Sequence, residues 1–456
     1  MQANRGLSRR QWLKAMGAGV AGALLSSCAP RVVEKVVKET VMVEKEVAAP
    51  APRGKKQVKL ICHDWVRNEL PIDQLTADYN QAQTDHEIIY ERWVEGWDNK
   101  VLSAIRAGNN EYSGMFEMRA FEYALGWSKQ GLIQPFDDYI NGSTAPGADT
   151  LVDDMLPVIR GQCILQGKMY GFPIDFDATG MAYRKDYFEE LGVAELPGTW
   201  KEIGEVAAEI REKHKDENVY GIGSSASWYI FGGPGAIFYN TCKQVFDDDG
   251  IVRYDSEEFV KALELCKSWS DRDIAQAPFG TGWSDAWLSG KWGIAWNQHP
   301  LAIWAQNNLG KQVVSNPQPL PLGEDGSGCA VWAISWCCLN KAPHPQEYVD
   351  YLVNLFYPGT DMGITMNKAV CATGKLPAYQ KAWDEVVEAD PDLEWMLKMG
   401  EIAAKAVPPP GLTTAAIQQD RQAAWSEKYF AGEVGAKEAM DRCIEEIKAE
   451  IAKMRA

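Results

Sequence analysis

From Val58 onward the chain alternates short β-type runs with helical stretches, and this rhythm restricts it to open α/β sheets covered by helices. Val58-Lys59-Leu60-Ile61-Cys62 reads as a strand. Polar and aromatic His63-Asp64-Trp65 follow, then a helical stretch through Tyr79 and a second strand around Glu87 to Arg92. The pattern continues with a helix from about Asn99 to Ala107, a strand at Met115–Met118 and a helix from Ala120 to Lys129. Parallel strands of this kind place ligands beyond their carboxyl ends. That rule selects His63–Trp65, Trp93–Trp97 and Glu117–Arg119 as candidate lining. At 456 residues the chain is long enough for two such domains.

Residues 1–28 are of a different kind. Arg5, Arg9, Arg10 and Lys14 surround the start of an apolar stretch, Ala15 to Leu25, which ends in Ser26-Ser27-Cys28. This is the pattern of an export signal. Ser8-Arg9-Arg10-Gln11-Trp12-Leu13-Lys14 resembles the twin-arginine consensus, with Trp12 where Phe is usual, and Leu25-Ser26-Ser27-Cys28 resembles a lipobox. Acyl chains on Cys28 would hold the body at a membrane surface, so the expected location is extracytoplasmic and lipid-anchored, periplasmic or at the cell surface. Residues 29–57, in which Val alternates with Glu and Lys before Pro50 and Pro52, read as a solvated tether.

The formal charge is −17, and removing the four cations of residues 1–28 leaves −21 on the remainder. Such a body repels phosphate backbones, which argues against nucleic-acid binding. Eighteen Trp exceed what core packing ordinarily uses, and flat indole surfaces suit the C–H faces of sugars. Beyond Cys28 there are nine cysteines, an odd number without a C-x-x-C pair, and vicinal Cys337-Cys338 sit in an apolar run that looks like a buried strand. No zinc site is expected.

Other motifs have plainer explanations. Gly221-Ile222-Gly223-Ser224-Ser225-Ala226 spells a loose dinucleotide fingerprint, but no acid lies near 20 residues on. Asp247-Asp248-Asp249-Gly250 opens like a calcium loop, yet Ile251 and Val252 stand where oxygen ligands should continue, so an Asp-Gly turn is expected. Thr199 and Glu202 have capping-box spacing at the start of a helix from Trp200 to Lys213.

Several blocks occur in an order that resembles one family. They are Gly167–Asp175 with Gly180-Met181-Ala182-Tyr183-Arg184-Lys185, Pro197-Gly198-Thr199-Trp200, Leu288-Ser289-Gly290-Lys291-Trp292-Gly293, Val331–Ser335 before Asn340-Lys341-Ala342-Pro343, Gly374-Lys375-Leu376-Pro377 and Phe430-Ala431-Gly432-Glu433. Behind a lipobox, this set resembles the extracellular solute-binding proteins of ATP-driven importers, in the group of maltose-type sugar binders. The resemblance implies an α/β fold of the type II periplasmic-binding-protein class, with a ligand cleft between two lobes joined by three crossings. These are expected near Pro173–Asp175, Gly293–Ala295 and Ala330–Ala333. Residues 58–173 plus 294–331 would form lobe 1, and 174–293 plus 332–456 lobe 2. Tyr112-Ser113-Gly114 departs from the family's usual Pro-Asp, so one relative's ligand is not transferred.

The function implied is capture of a mono- or oligosaccharide by hinge closure and delivery to an ABC permease by a monomer that is not an enzyme and has no cofactor. Candidate ligand contacts at strand ends and crossings are Trp65, Trp97, Glu117, Asp175, Asp177, Trp228, Tyr229, Trp283, Trp296 and Trp332. Trp127, Trp200 and Trp269 are assigned to packing within helices. Two alternatives stay open: a secreted glycoside hydrolase, because Trp with carboxylates also describes sugar-cleaving clefts, and the same fold binding a polyamine or other small solute.

Overall fold

The computed structural model describes residues 54–92, 97–118, 126–226, 232–323, 330–406 and 415–455. The export signal with Cys28, and the tether up to residue 53, lie outside them. Strands in chain order are β1 (Lys56–Cys62), β2 (His86–Arg92), β3 (Gly114–Met118), β4 (Ile133–Gln134), β5 (Ile164–Leu165), β6 (Lys168–Met169), β7 (Phe172–Tyr183), β8 (Tyr220–Gly223), β9 (Trp292–Gln298), β10 (Val331–Leu339) and β11 (Leu376–Pro377). The main sheet runs β2-β1-β3-β10-β7-β9-β8, with β11 also on β7 and β4 on β10.

Buried Val58, Leu60 and Cys62 fix the core face of β1, and β1 is parallel to both β2 and β3. Their carboxyl ends therefore share one edge. The twelve residues of β7 form the spine. Its first part, through Ala178, is antiparallel to β10, and from Thr179 to Tyr183 it is antiparallel to β9. Gly180 is needed inside this strand, because a Cβ there would stand 2.8 Å from that of His299. β8 runs parallel to β9, so its carboxyl end also points toward the place where β7 changes partners.

Each part of the sheet has its own helices. Helices Ile72–Ala82 and Pro345–Phe356 pack on β2, whereas Trp200–Lys213 packs on β8 and β9. The Thr199 cap forms as expected: its hydroxyl accepts from the Glu202 N–H, and the two side chains bond at 2.8 Å. The Asp-Gly turn also forms. Asp247 accepts from the N–H groups of Asp249 and Ile251, so its carboxylate serves the turn.

Strand pairing reverses the expected return of the chain. β9 lies with β8 and the second part of β7, not with β3, while β10 lies between β3 and the first part of β7. Residues 294–298 thus belong beside lobe 2 strands and 331–339 beside lobe 1 strands. The first crossing falls at Ala178–Thr179 rather than at Pro173–Asp175. Apolar runs such as Trp292–Trp296 and Val331–Leu339 announce buried strands, but a run buried on both faces carries no alternation to select its neighbour.

Much of the Trp surplus proves to be core. Trp269, Trp287, Trp292, Trp296 and Trp336 are almost wholly buried. All eight described cysteines are buried, and burial pushes the Cys338 thiol up to about 12. Among the described residues no helix is long and apolar enough to cross a membrane.

Candidate functional site

Strand alternation puts Asp175, Asp177 and Thr179 on one face of β7 and Phe176 and Ala178 on the other. On the first face, Trp332 of β10 stands directly opposite Asp177, and Ile334 opposite Asp175. Lys375, just ahead of β11, comes in from the other side. Its Nζ lies 3.2 Å from both Asp177 oxygens and 3.8 Å from Asp175 Oδ1. The three charged side chains are buried, Asp175 completely. Two carboxylates thus face one ammonium in a desolvated place.

The surrounding backbone is fixed by side chains. Gln162, in the helix Pro157–Cys163, donates to the Val331 carbonyl and accepts from the Ala333 N–H, both at 2.7 Å. Thr179 Oγ1 accepts from the Ala330 N–H at 3.2 Å. Gly374 adopts φ +87°, turning the chain so that Lys375 enters, and a Cβ there would meet Ile303 at 2.5 Å. These contacts hold the start of β10 and the approach to β11 against β7.

His299 continues β9 alongside Ala178. Its Nδ1 lies 3.1 Å from the Ala178 nitrogen and 3.2 Å from the Ala178 carbonyl oxygen, which ties the ring to the β7 backbone. Burial lowers its pKa to about 4, with the Asp177 charge opposing and Lys375 assisting. The imidazole is therefore neutral at pH 7 and does not offset the second carboxylate. Burial also raises the Glu69 pKa, against the pull of Lys375. Because unfolded His299 binds a proton below its ordinary 6.5 and the folded ring does not until about 4, stability should fall across that interval, by about 3 kcal/mol in all. Urea unfolding of the parent and His299→Gln between pH 4 and 7 should show a flatter acid limb in the variant.

The other candidates divide in two. Trp65 is the second residue of the helix Asp64–Glu69, Trp97 opens Trp97–Arg106, and Glu117 is the fourth residue of β3. All three positions lie at or next to the shared carboxyl edge. Trp283 opens the helix Trp283–Leu288. Asp64 and Trp65 begin a helix instead of continuing a loop. Trp228 and Tyr229 fall outside the described residues. Trp296 is a correction: it is 1% exposed, with Trp200, Trp269 and Phe279 ring centres at 5.3, 5.6 and 5.9 Å, and its Nε1 donates to the Gly233 carbonyl. Its burial comes from the helix Trp200–Lys213 closing over β9.

Sequence reasoning missed Lys375, His299 and Gln162. Only Lys375 carried a signal, a lone cation after a glycine in an apolar stretch. Among the described residues no group of three or more His, Cys, Asp or Glu could hold a metal ion. Acceptor-rich and held rigidly, the cluster is equipped to receive hydroxyl or ammonium donors.

Residues 68–355 match the family described as bacterial extracellular solute-binding protein. The mannitol-binding protein of Pseudomonas aeruginosa is 31% identical over 145 residues, 31% of each chain. The chain spans less than half the length of the curated relatives it matches. Among solved structures, the sugar-binding protein MalE of Xanthomonas citri superposes with a TM-score of 0.69 at 17% identity, covering 88% of this chain and 98% of that one. An ABC transporter solute-binding protein of Agrobacterium radiobacter, solved with ribitol, gives 0.65 at 18% identity over 87% and 100%. At these identities the structures establish a shared two-lobe fold.

Proposed function

The chain belongs to the bacterial extracellular solute-binding protein family, and we propose that it is an importer's receptor for a small polyhydroxylated solute, a sugar or a polyol. The supporting observation is the buried cluster of Asp175, Asp177 and Lys375 at the point where β7 passes from β10 to β9. A solute placed there meets the carboxyl edges of strands from both parts of the sheet. Contacts made only when the lobes approach would favour the closed state, and closure is what a permease can read.

The chemistry fits hydroxyl donors. Each carboxylate can accept several hydrogen bonds, and two of them stand side by side on one face of β7. Aromatic residues at Trp65 and Trp97, next to the carboxyl edge, would supply flat surfaces for C–H faces. No bond need be broken, in keeping with relatives named as binding proteins. Anchoring through a lipidated Cys28 would keep the receptor near its permease.

A polyamine is the second reading, favoured by the two buried carboxylates beside Lys375. Thermal unfolding with mannitol, ribitol, maltose and spermidine separates the two. A ligand at 100 times its dissociation constant should add about 2.7 kcal/mol. Stabilisation by a sugar or polyol, which product analysis then recovers unchanged, supports the proposal. Stabilisation by spermidine alone, or cleavage of the maltose, overturns it.

A further inference from the structure

The face of β7 opposite Asp175 and Asp177 carries a different site. Phe176 forms the floor of a pocket of about 440 Å³, walled by Val158, Trp383 and Leu397. Glu388 and Glu401 are the charged residues among those described in its lining. We propose that this pocket binds an amphipathic organic cation, an apolar ring body carrying an ammonium group, independently of the solute cluster on the other face.

Four observations support a built site. The volume lies within the range of small-molecule pockets, and the lining is mostly apolar with a few polar groups, as such sites require. The Trp383 ring is held in place, its Nε1 donating to the Pro377 carbonyl at 2.9 Å. That residue also opens a π-helical turn, Trp383–Val387, a departure from α geometry often found at functional sites. Gly400 completes the wall: a Cβ there would stand 2.7 Å from the Trp383 ring, so glycine lets the helix Glu394–Ala403 lie against the indole. The ring is therefore fixed before any ligand arrives.

Charge selects the ligand class. With two carboxylates and no cation among the described residues of the lining, an anion of the same shape would be repelled, while an ammonium would reach Glu388 or Glu401 with its apolar body over Phe176 and Trp383. A neutral hydrocarbon would fill the pocket without that attraction.

The test uses the whole purified protein without sugar, so its outcome does not depend on the solute. Naphthylmethylammonium is titrated while indole fluorescence and heat are followed, with naphthalenesulfonate as the anion of similar body. The expected result is saturable one-to-one binding of the cation and at least tenfold weaker binding of the anion. Glu388→Gln with Glu401→Gln should weaken the cation about tenfold, and Ala404→Trp, which places bulk in the pocket lining, should abolish binding. Both glutamates are exposed, so the double variant should fold. Absence of saturation, equal affinity for the anion, or an unaffected double variant would each overturn the proposal.

Discussion

Lys375→Met is expected to cost about 3–5 kcal/mol of stability, because it removes the ammonium from between two buried carboxylates. Asp175 and Asp177 would then share a desolvated face without the Lys375 ammonium, and His299, neutral near pH 7, does not replace it. Folding would have to protonate one carboxylate or admit water. Combining the change with Asp177→Leu should recover only part of the loss, since it removes one carboxylate in favour of an apolar side chain but leaves Asp175 buried without the ammonium. Urea unfolding at pH 7 measures both. Because the pair is shielded from solvent, the penalty should also persist at high salt. A loss below about 1 kcal/mol would mean that the cluster is hydrated like a surface pair, and the proposed desolvated recognition of hydroxyl donors would lose its basis.

The architecture was largely legible because its signals are local. β1 and β2 declare themselves through alternation, and the Thr199 cap and the Asp247 turn through residue chemistry that needs no distant partner. Parallel pairing of β1 with β2 and β3 then places Trp65, Trp97 and Glu117 near one edge, as the strand-end rule requires. Asp175 and Asp177 were readable for the same reason: two acids two apart in a strand must share a face.

The remainder depends on partners far away in the chain. Lys375 meets Asp177 across 198 residues, and Gln162 reaches Ala333 across 171. Neither separation leaves a trace in periodicity. The neighbours of β9 and β10 were misread because a uniformly buried strand looks alike on either side of β7. Trp296 was misread by composition. An abundance of indole suggested ligand plates, but a lobe built from Trp200, Trp269 and Trp296 spends its indoles on its own interior.

Trp296→Ala therefore tests whether that indole is a beam of the fold or a wall of the cleft. Removing a ring that is 1% exposed and surrounded by Trp200, Trp269 and Phe279 should leave a cavity that these rigid neighbours cannot fill, at a cost of about 3–5 kcal/mol. The Gly233 carbonyl also loses its donor. Trp296→Phe keeps an aromatic body but not the N–H, and should cost less. Denaturant midpoints give the stability term, and solute titration of the folded fraction gives the binding term. A core role predicts a large first term with unchanged affinity. If affinity fell while the midpoint held, the indole would have to face the solute, and the packing of the helix Trp200–Lys213 over β9 would not be its reason for being there.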